Sequence, residues 1–193
     1  MKTTMLWLTA VLLLPATLAA QTDPKSRPPP STARPDGGVG PPASRIRIAN
    51  RVYVGEAAPG FELTSANGTR VKLSRFRGDL ILLAFADRRE AFSPFGAVAE
   101  SLRTMGVLLV GVCHGSPRSL RLLAERDSLR FELLSDPTGE VSAIYGAFDF
   151  ATSTTLPAYV LVGRRGIVRL VVLGQTLRPD HLLQLTRYAL TGL

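Results

Sequence analysis

The chain has 193 residues, and its 23 Lys or Arg residues against 15 Asp or Glu give a formal net charge of +8. This length allows one domain of ordinary size with additional segments. Nearly all the positive charge is arginine scattered without interleaved aromatic residues, so the composition predicts no nucleic-acid partner. The net charge alone predicts a loose attraction to an anionic envelope surface. Cys113 is the only cysteine, which excludes an intramolecular disulfide and any mechanism that needs two thiols of one chain.

The first twenty residues have the pattern of a secretory signal peptide. Lys2 precedes an apolar run from Leu6 to Leu14, and small residues follow up to Ala20. The run is shorter than the about 20 apolar residues that a membrane span requires. We therefore predict a signal peptide over residues 1–20, no stable membrane span, and export to the periplasm or the cell exterior. Retention of this segment as an uncleaved anchor is the alternative.

The segment that follows the predicted signal peptide is rich in proline and glycine. Residues 21–51 contain seven of the 14 prolines, together with several glycines and few residues that a core could bury. Such a segment cannot offset the entropy cost of ordering its backbone. We predict a Pro/Gly-rich disordered linker over 21–51 and one folded domain over 52–193.

Hydrophobic patterning in the predicted domain indicates strands and helices in alternation. Alternating residues on either side of Asn67-Gly68 predict a β-hairpin. Continuous apolar runs predict buried strands at 80–85 and 107–113, and two further strands are predicted at 158–162 and 167–173. Helical spacing predicts helices at about 94–105, after Pro117, at 141–145 and from Pro179.

The order of these elements predicts an α/β domain with a mixed central sheet. Strand–helix–strand units require parallel neighbours connected by right-handed crossovers. The short turn at 163–166 instead requires an antiparallel pair. The sheet is therefore expected to be covered by helices on both faces.

Four stretches of the domain carry a family resemblance. The matching phrases are 58–63 with Asn67-Gly68 and Leu73-Ser74, 78–85, 131–139 with Tyr145-Gly146, and 156–162 with Gly166. In this order they resemble the alkyl hydroperoxide reductase C and thiol-specific antioxidant family, the peroxiredoxins. The resemblance implies a thioredoxin-like fold that begins with the β-hairpin. It also implies thiol-dependent reduction of hydroperoxides by an active-site cysteine, with an external thiol as reductant and no cofactor.

The resemblance fails at the residues that would carry this chemistry. In the loop after the first core strand, Ala86 takes the place of the family's proline, Glu90 that of its threonine, and Ser93 that of its peroxidatic cysteine. The family's arginine falls near Pro157 and has no equivalent. Pro157 resembles the cis-proline beside the redox centre of thioredoxin-like proteins. A serine hydroxyl cannot replace a thiolate, so we interpret Ser93 as a helix N-cap.

Cys113 is the remaining thiol candidate. It ends the second core strand beside His114, and the carboxyl ends of parallel strands are where ligand sites gather. A neighbouring imidazolium could lower the pKa of its thiol. The ordinary interpretation is a buried cysteine that packs as a small apolar residue. One Cys and two His are too few for structural zinc, so no metal is predicted.

Two hypotheses follow from these residues. The first is an exported redoxin that has lost peroxide reduction and acts as a binding or scaffold module. The second is an active one-cysteine thiol peroxidase that uses Cys113 and an external thiol reductant. The sequence indicates neither a physiological substrate nor an oligomeric state.

Overall fold

The structure, a computed structural model, describes residues 52–191. The predicted signal peptide and linker lie outside the described residues, and the domain boundaries stay predictions. No helix between 52 and 191 has the length and apolar character needed to cross a bilayer.

Seven strands form one central sheet, namely β1 (Glu62–Ser65), β2 (Arg70–Lys72), β3 (Leu80–Ala86), β4 (Val107–Cys113), β5 (Glu132–Ser135), β8 (Ala158–Val162) and β9 (Val168–Leu173). Their order across the sheet is β2-β1-β5-β4-β3-β8-β9. A second sheet pairs the short strands β6 (Phe148–Asp149) and β7 (Thr154–Thr155). The helices are α1 (Gly96–Thr104), α2 (Pro117–Arg126), α3 (Glu140–Ile144) and α4 (Pro179–Thr191).

The strand directions follow the predicted connections. Strand β3 runs parallel to β4, and β4 runs parallel to β5. Strand β8 pairs antiparallel with both β3 and β9. The hairpin β1–β2 joins the main sheet through an antiparallel pair between β1 and β5. The predicted mixed α/β sheet with an N-terminal hairpin is therefore confirmed.

The central strands are buried on both faces because helices cover each side. Every residue of β3 is buried, and its side chains alternate between two apolar clusters. Leu82 packs on the side of α1, α2 and α4, with Leu102, Leu120 and Leu182. Leu83 packs on the opposite side, with residues of α3 such as Val141. A continuous apolar run, rather than an alternating one, is what such two-sided burial requires.

Two of the stretches that carry the family resemblance touch each other. The buried Tyr145 hydroxyl donates to the Pro59 carbonyl oxygen at 2.7 Å, across 86 residues of sequence. Its ring packs against Phe61 and Phe85, with centroids 6.2 and 5.2 Å away. Burial raises the pKa of this phenol, so it remains a neutral donor. This contact fixes the start of the domain against the sheet.

The predicted start of the first helix was wrong. Pro94 does not open an α-helix but lies inside a 3₁₀ segment, Arg89–Phe95, and α1 begins only at Gly96. A proline is compatible with either segment because its fixed φ fits both. Phe92 and Phe95, the two aromatic residues of this segment, are both buried. Their three-residue spacing places both rings on one side of a helix with three residues per turn.

Candidate functional site

Strand pairing brings the predicted site residues to one edge of the central sheet. Strand β3 ends at Ala86, which pairs with Cys113 at the end of β4. Phe85 pairs with Ala158, so Pro157 lies at the same edge, just before β8. The loop that contains Ser93 leaves β3 directly at this point. In an open α/β sheet this carboxyl edge is where ligand sites gather.

Two buried aromatic residues anchor the loop on either side of Ser93. Phe92 packs against the sheet over Gly111, where a Cβ atom would lie 3.0 Å from the Phe92 ring and 2.7 Å from Leu133. Phe95 packs near Tyr159, with ring centroids 6.0 Å apart. Gly111 is needed in β4 because any larger side chain would displace the ring. The loop is thus held as a defined 3₁₀ segment.

The Ser93 hydroxyl donates a hydrogen bond to the Asp127 carboxylate. Asp127 follows α2 and is also bound by the Arg126 guanidinium, at 2.6 Å to Oδ1 and 3.0 Å to Oδ2. The Arg126 hydrogen bonds, and then that from Ser93, lower the pKa of Asp127 to about 2. The group that faces position 93 is therefore a negative charge at neutral pH.

The interpretation of Ser93 as a helix N-cap was wrong. Phe95 precedes α1, and no side chain caps that helix start. Ser93 is instead bonded to Asp127, 34 residues away. Sequence reasoning missed Asp127 because no local pattern connects the two positions. Nothing in the sequence around Asp127 indicates a site residue, apart from its position after a predicted helix.

Glu90 lies at the exposed start of the same loop. Its carboxylate accepts a 2.8 Å hydrogen bond from Arg89. Its own backbone amide, and then Arg89, lower its pKa. Glu90 therefore presents an ionised acceptor where the resemblance implies a hydroxyl donor. This carboxylate is paired with Arg89 within the same loop.

Cys113 is fully buried in the core, whereas the adjacent His114 is exposed. The Cys113 Sγ atom lies 3.6 Å from the Asp87 carbonyl oxygen. Burial, followed by the charges of Asp87 and Glu90, raises the pKa of this thiol to about 12. Its thiolate fraction at neutral pH is accordingly very small, and the thiolate is the reactive form.

Asp87 links the end of β3 to the segment before Pro157. Its Oδ1 accepts a hydrogen bond from the Thr155 amide at 3.1 Å. The Pro157 carbonyl oxygen in turn accepts from the Gly174 amide at 2.8 Å. Pro157 therefore lies at the same edge as the Ser93 loop, as the resemblance implies. The cis isomer at Pro157 stays a prediction.

The Asp136 carboxylate caps the N-terminal end of α3. Its buried Oδ2 accepts 2.8 Å hydrogen bonds from both the amide and the hydroxyl of Ser142.

Across residues 52–191, no three His, Cys, Asp or Glu side chains are grouped in a way that could hold a metal ion.

Residues 54–171, more than half of the chain, match the sequence profile of the AhpC/TSA family. The chain belongs to this family. This chain is 30% identical to Peroxiredoxin Bcp of Escherichia coli over 107 residues. The matched residues cover 51% of this chain and 67% of the relative. The chain is 28% identical to the chloroplastic Peroxiredoxin Q of Populus jackii over 152 residues, which cover 74% of this chain and 71% of the relative.

Solved structures of AhpC/TSA proteins have the same fold. Peroxidoxin BcpB from Mycobacterium tuberculosis superimposes with a TM-score of 0.65 at 20% identity, over 72% of this chain and 98% of that one. Enterococcus faecalis AhpC gives a TM-score of 0.64 at 16% identity, over 72% and 95%. The thioredoxin-like fold that the resemblance implied is confirmed.

The Ser93 hydroxyl determines which reactions this AhpC/TSA site can carry out. A hydroxyl that donates to a carboxylate is held in its protonated form, and it cannot cycle through a sulfenic acid. Hydrolytic use of Ser93 would need a general base. Asp127 is a poor one, because its pKa of about 2 leaves it little affinity for a proton at neutral pH.

Proposed function

We propose that the chain is an exported redoxin that no longer reduces hydroperoxides and acts instead by binding. The family supports a thiol-peroxidase-like ancestry. In that chemistry a thiolate attacks the peroxide oxygen, the O–O bond breaks, and the sulfur becomes a sulfenic acid that an external thiol reduces. Every step requires sulfur at the reacting position.

One observation carries the loss of this activity. The side chain at position 93 is a hydroxyl that donates to Asp127. A carboxylate in that place opposes formation of any anion, because two negative charges would face each other. Glu90 adds a further negative charge near the loop. The group in contact with position 93 is thus a carboxylate acceptor, whereas a peroxidatic thiolate needs hydrogen-bond donors or a positive charge in that place.

The rival hypothesis requires Cys113 to react with peroxide. Burial and a thiol pKa raised to about 12 both oppose this. Peroxide would have to reach an atom enclosed by the core. The described residues therefore favour the binding role over a one-cysteine peroxidase.

Peroxide consumption tests the proposed loss directly. Purified protein at neutral pH, given hydrogen peroxide and an excess of dithiothreitol, is expected to consume no more peroxide than dithiothreitol alone. Because Cys113 is enclosed and protonated, a dimedone probe is expected to find no sulfenic acid on it. The Cys113→Ser variant is the matched control.

Two outcomes would contradict the proposal. Turnover that disappears in Cys113→Ser would establish the one-cysteine peroxidase. Turnover that survives in Cys113→Ser would show a peroxidase activity independent of sulfur. Either outcome would refute the proposed loss of peroxide reduction.

Export is tested by the mass of the protein recovered from a bacterial periplasm. Removal of residues 1–19 or 1–20 is expected, because the apolar run has the length of a signal peptide rather than a span. Leu13→Arg interrupts that run and is expected to abolish export, whereas Ser31→Arg, in the predicted linker, is the control. Full-length protein that stays in the cytoplasm would refute export. Full-length protein in the membrane would establish the anchor.

A further inference from the structure

Two neighbouring clefts lie at the end of the sheet opposite Ser93. The first has a volume of about 260 Å³ and is bounded by residues before β3 and by the turn after β8. The second has a volume of about 230 Å³ and is bounded by the start of β4, by α1 and by the segment before β5. Phe76 lines both clefts. Five exposed arginines line the two clefts, and we call them the arginine edge: Arg75, Arg77, Arg103, Arg130 and Arg165.

The arginine edge holds a charge excess equal to that of the whole described domain. Residues 52–191 contain 16 Lys or Arg and 13 Asp or Glu, an excess of three positive charges. Five arginines and two carboxylates, Asp79 and Glu132, line the clefts. Eleven charged residues of each sign are left for the rest of the domain. The surface outside the clefts is therefore balanced, and the positive field is concentrated at one end.

Internal ion pairs leave much of this charge available. Arg103 pairs with Glu100 at 2.7 Å, and Arg75 lies 4.0 Å from Glu132. Arg77, Arg130 and Arg165 form no ion pair with any residue between 52 and 191. Exposed pairs of this kind contribute little stability, so an external anion can compete for these guanidinium groups.

The turn that carries Arg165 is fixed in place. The Arg164 guanidinium donates to the Gly78 carbonyl oxygen at 2.8 Å, and the Gly78 amide donates to the Arg164 carbonyl oxygen at 3.0 Å. This reciprocal contact joins the turn after β8 to the segment before β3. The turn is therefore held before any ligand binds, which lowers the ordering cost of binding.

Cleft size and residue type define the ligand class. Each cleft is smaller than the roughly 300–1,000 Å³ of a site that encloses a small molecule. Two small clefts lined by guanidinium groups suit successive anionic groups of one chain, because arginine pairs well with carboxylate, sulfate or phosphate oxygens. Phe76 and Phe131, the aromatic residues that line the clefts, are half-buried. They do not offer the exposed rings on which the unpaired bases of a single-stranded nucleic acid stack.

We propose that the arginine edge binds a linear acidic polysaccharide, with successive anionic groups in the two clefts. This inference rests on the proposed binding role but not on the loss of peroxide reduction. It places the binding surface at the end of the domain away from Ser93. It also replaces the loose attraction expected from net charge with a defined contact.

Charge reversal within the full chain tests the proposal, with heparin as the probe. Arg77→Glu combined with Arg165→Glu is expected to weaken heparin binding about tenfold, and to lower the salt slope of log K by roughly two. Arg118→Glu combined with Arg187→Glu is the matched control. Both control residues are exposed, lie on α2 and α4, and form no ion pair within the described residues. The control changes the net charge equally and is expected to weaken binding less than about threefold.

Three results would overturn the proposal. Equal weakening by both double variants would reduce the effect to net charge and the basic N-terminal segment. Absence of heparin binding at low salt would remove the surface as a site. Binding of a DNA duplex of about 20 base pairs as tightly as heparin, with the same loss in Arg77→Glu/Arg165→Glu, would assign the surface to nucleic acid. Circular dichroism checks that all variants fold, and the peroxide assay is independent of each of these results.

Discussion

In a Ser93→Cys background, Asp127→Asn is expected to lower the pKa of the new thiol by about one unit or more. The side chain at position 93 faces a carboxylate whose own pKa, about 2, keeps it ionised at neutral pH. A like charge disfavours a thiolate, and asparagine removes that charge while keeping the shape. Arg126, freed from Asp127, would then favour the anion. One pKa unit corresponds to about a tenfold change in thiolate fraction.

The pH dependence of iodoacetamide alkylation at position 93, followed by peptide mass spectrometry, measures this shift. Mass spectrometry separates the new thiol from that of Cys113. Glu125→Gln in the same background is the matched control, because it removes an exposed carboxylate only two residues away from Asp127. We expect that control to leave the alkylation midpoint nearly unchanged. An ordinary thiol pKa in Ser93→Cys alone, unmoved by Asp127→Asn, would refute the electrostatic argument.

Gly139→Ala is expected to destabilise the domain by about 3 kcal/mol, from overpacking together with a left-handed backbone. Gly139 has φ +70°, and a Cβ atom there would lie 2.3 Å from Cε2 of Phe148. The ring belongs to β6 and packs against Phe150 with centroids 5.1 Å apart, so it must shift from this contact to admit the methyl group. Urea unfolding, followed by circular dichroism, measures the loss.

Gly166→Ala separates the two causes. Gly166 has a similar φ of +78°, but no atom lies within 4 Å of the Cβ that alanine would add. Its expected cost is about 1 kcal/mol, the backbone term alone. The change in unfolded-state entropy is the same for both substitutions and cancels in the comparison. Equal losses in the two variants would show that contact with Phe148 has no part in the effect.

Much of the fold follows from local pattern. A strand buried on both faces must be continuously apolar. Two strands of the sheet have such a sequence, Leu80–Ala86 and Val107–Cys113. The Asn67-Gly68 turn, with φ +82° at Gly68, accounts for the hairpin. Short strands give no such signal. The pair β6–β7 contains only two residues in each strand, too few for alternation to show.

The sequence predicted those site residues whose place in the fold follows from a nearby strand or motif. The end of β3 and the family phrases place Ser93 and Pro157 at one edge, and the structure brings both there. The partner of Ser93 could not be found in this way, because Asp127 reaches it only through the packing of α2. The arginine edge is likewise assembled from residues between 75 and 165 that appear scattered in the sequence. Clustering of this kind arises from the tertiary structure alone.

The hydrogen bond from Tyr145 to Pro59 bears on how homology is interpreted for such chains. It joins two of the motifs by which the family is detected, yet its role is to hold the N-terminal segment onto the sheet. Loss of the hydroxyl would leave the carbonyl without its partner, at a cost of about 1–3 kcal/mol. A lineage released from peroxide turnover would still need the Tyr145 hydroxyl for this contact, whereas the carbonyl oxygen at position 59 belongs to the backbone. Motifs of this type therefore report architecture, and a match to them does not by itself establish the chemistry of the site.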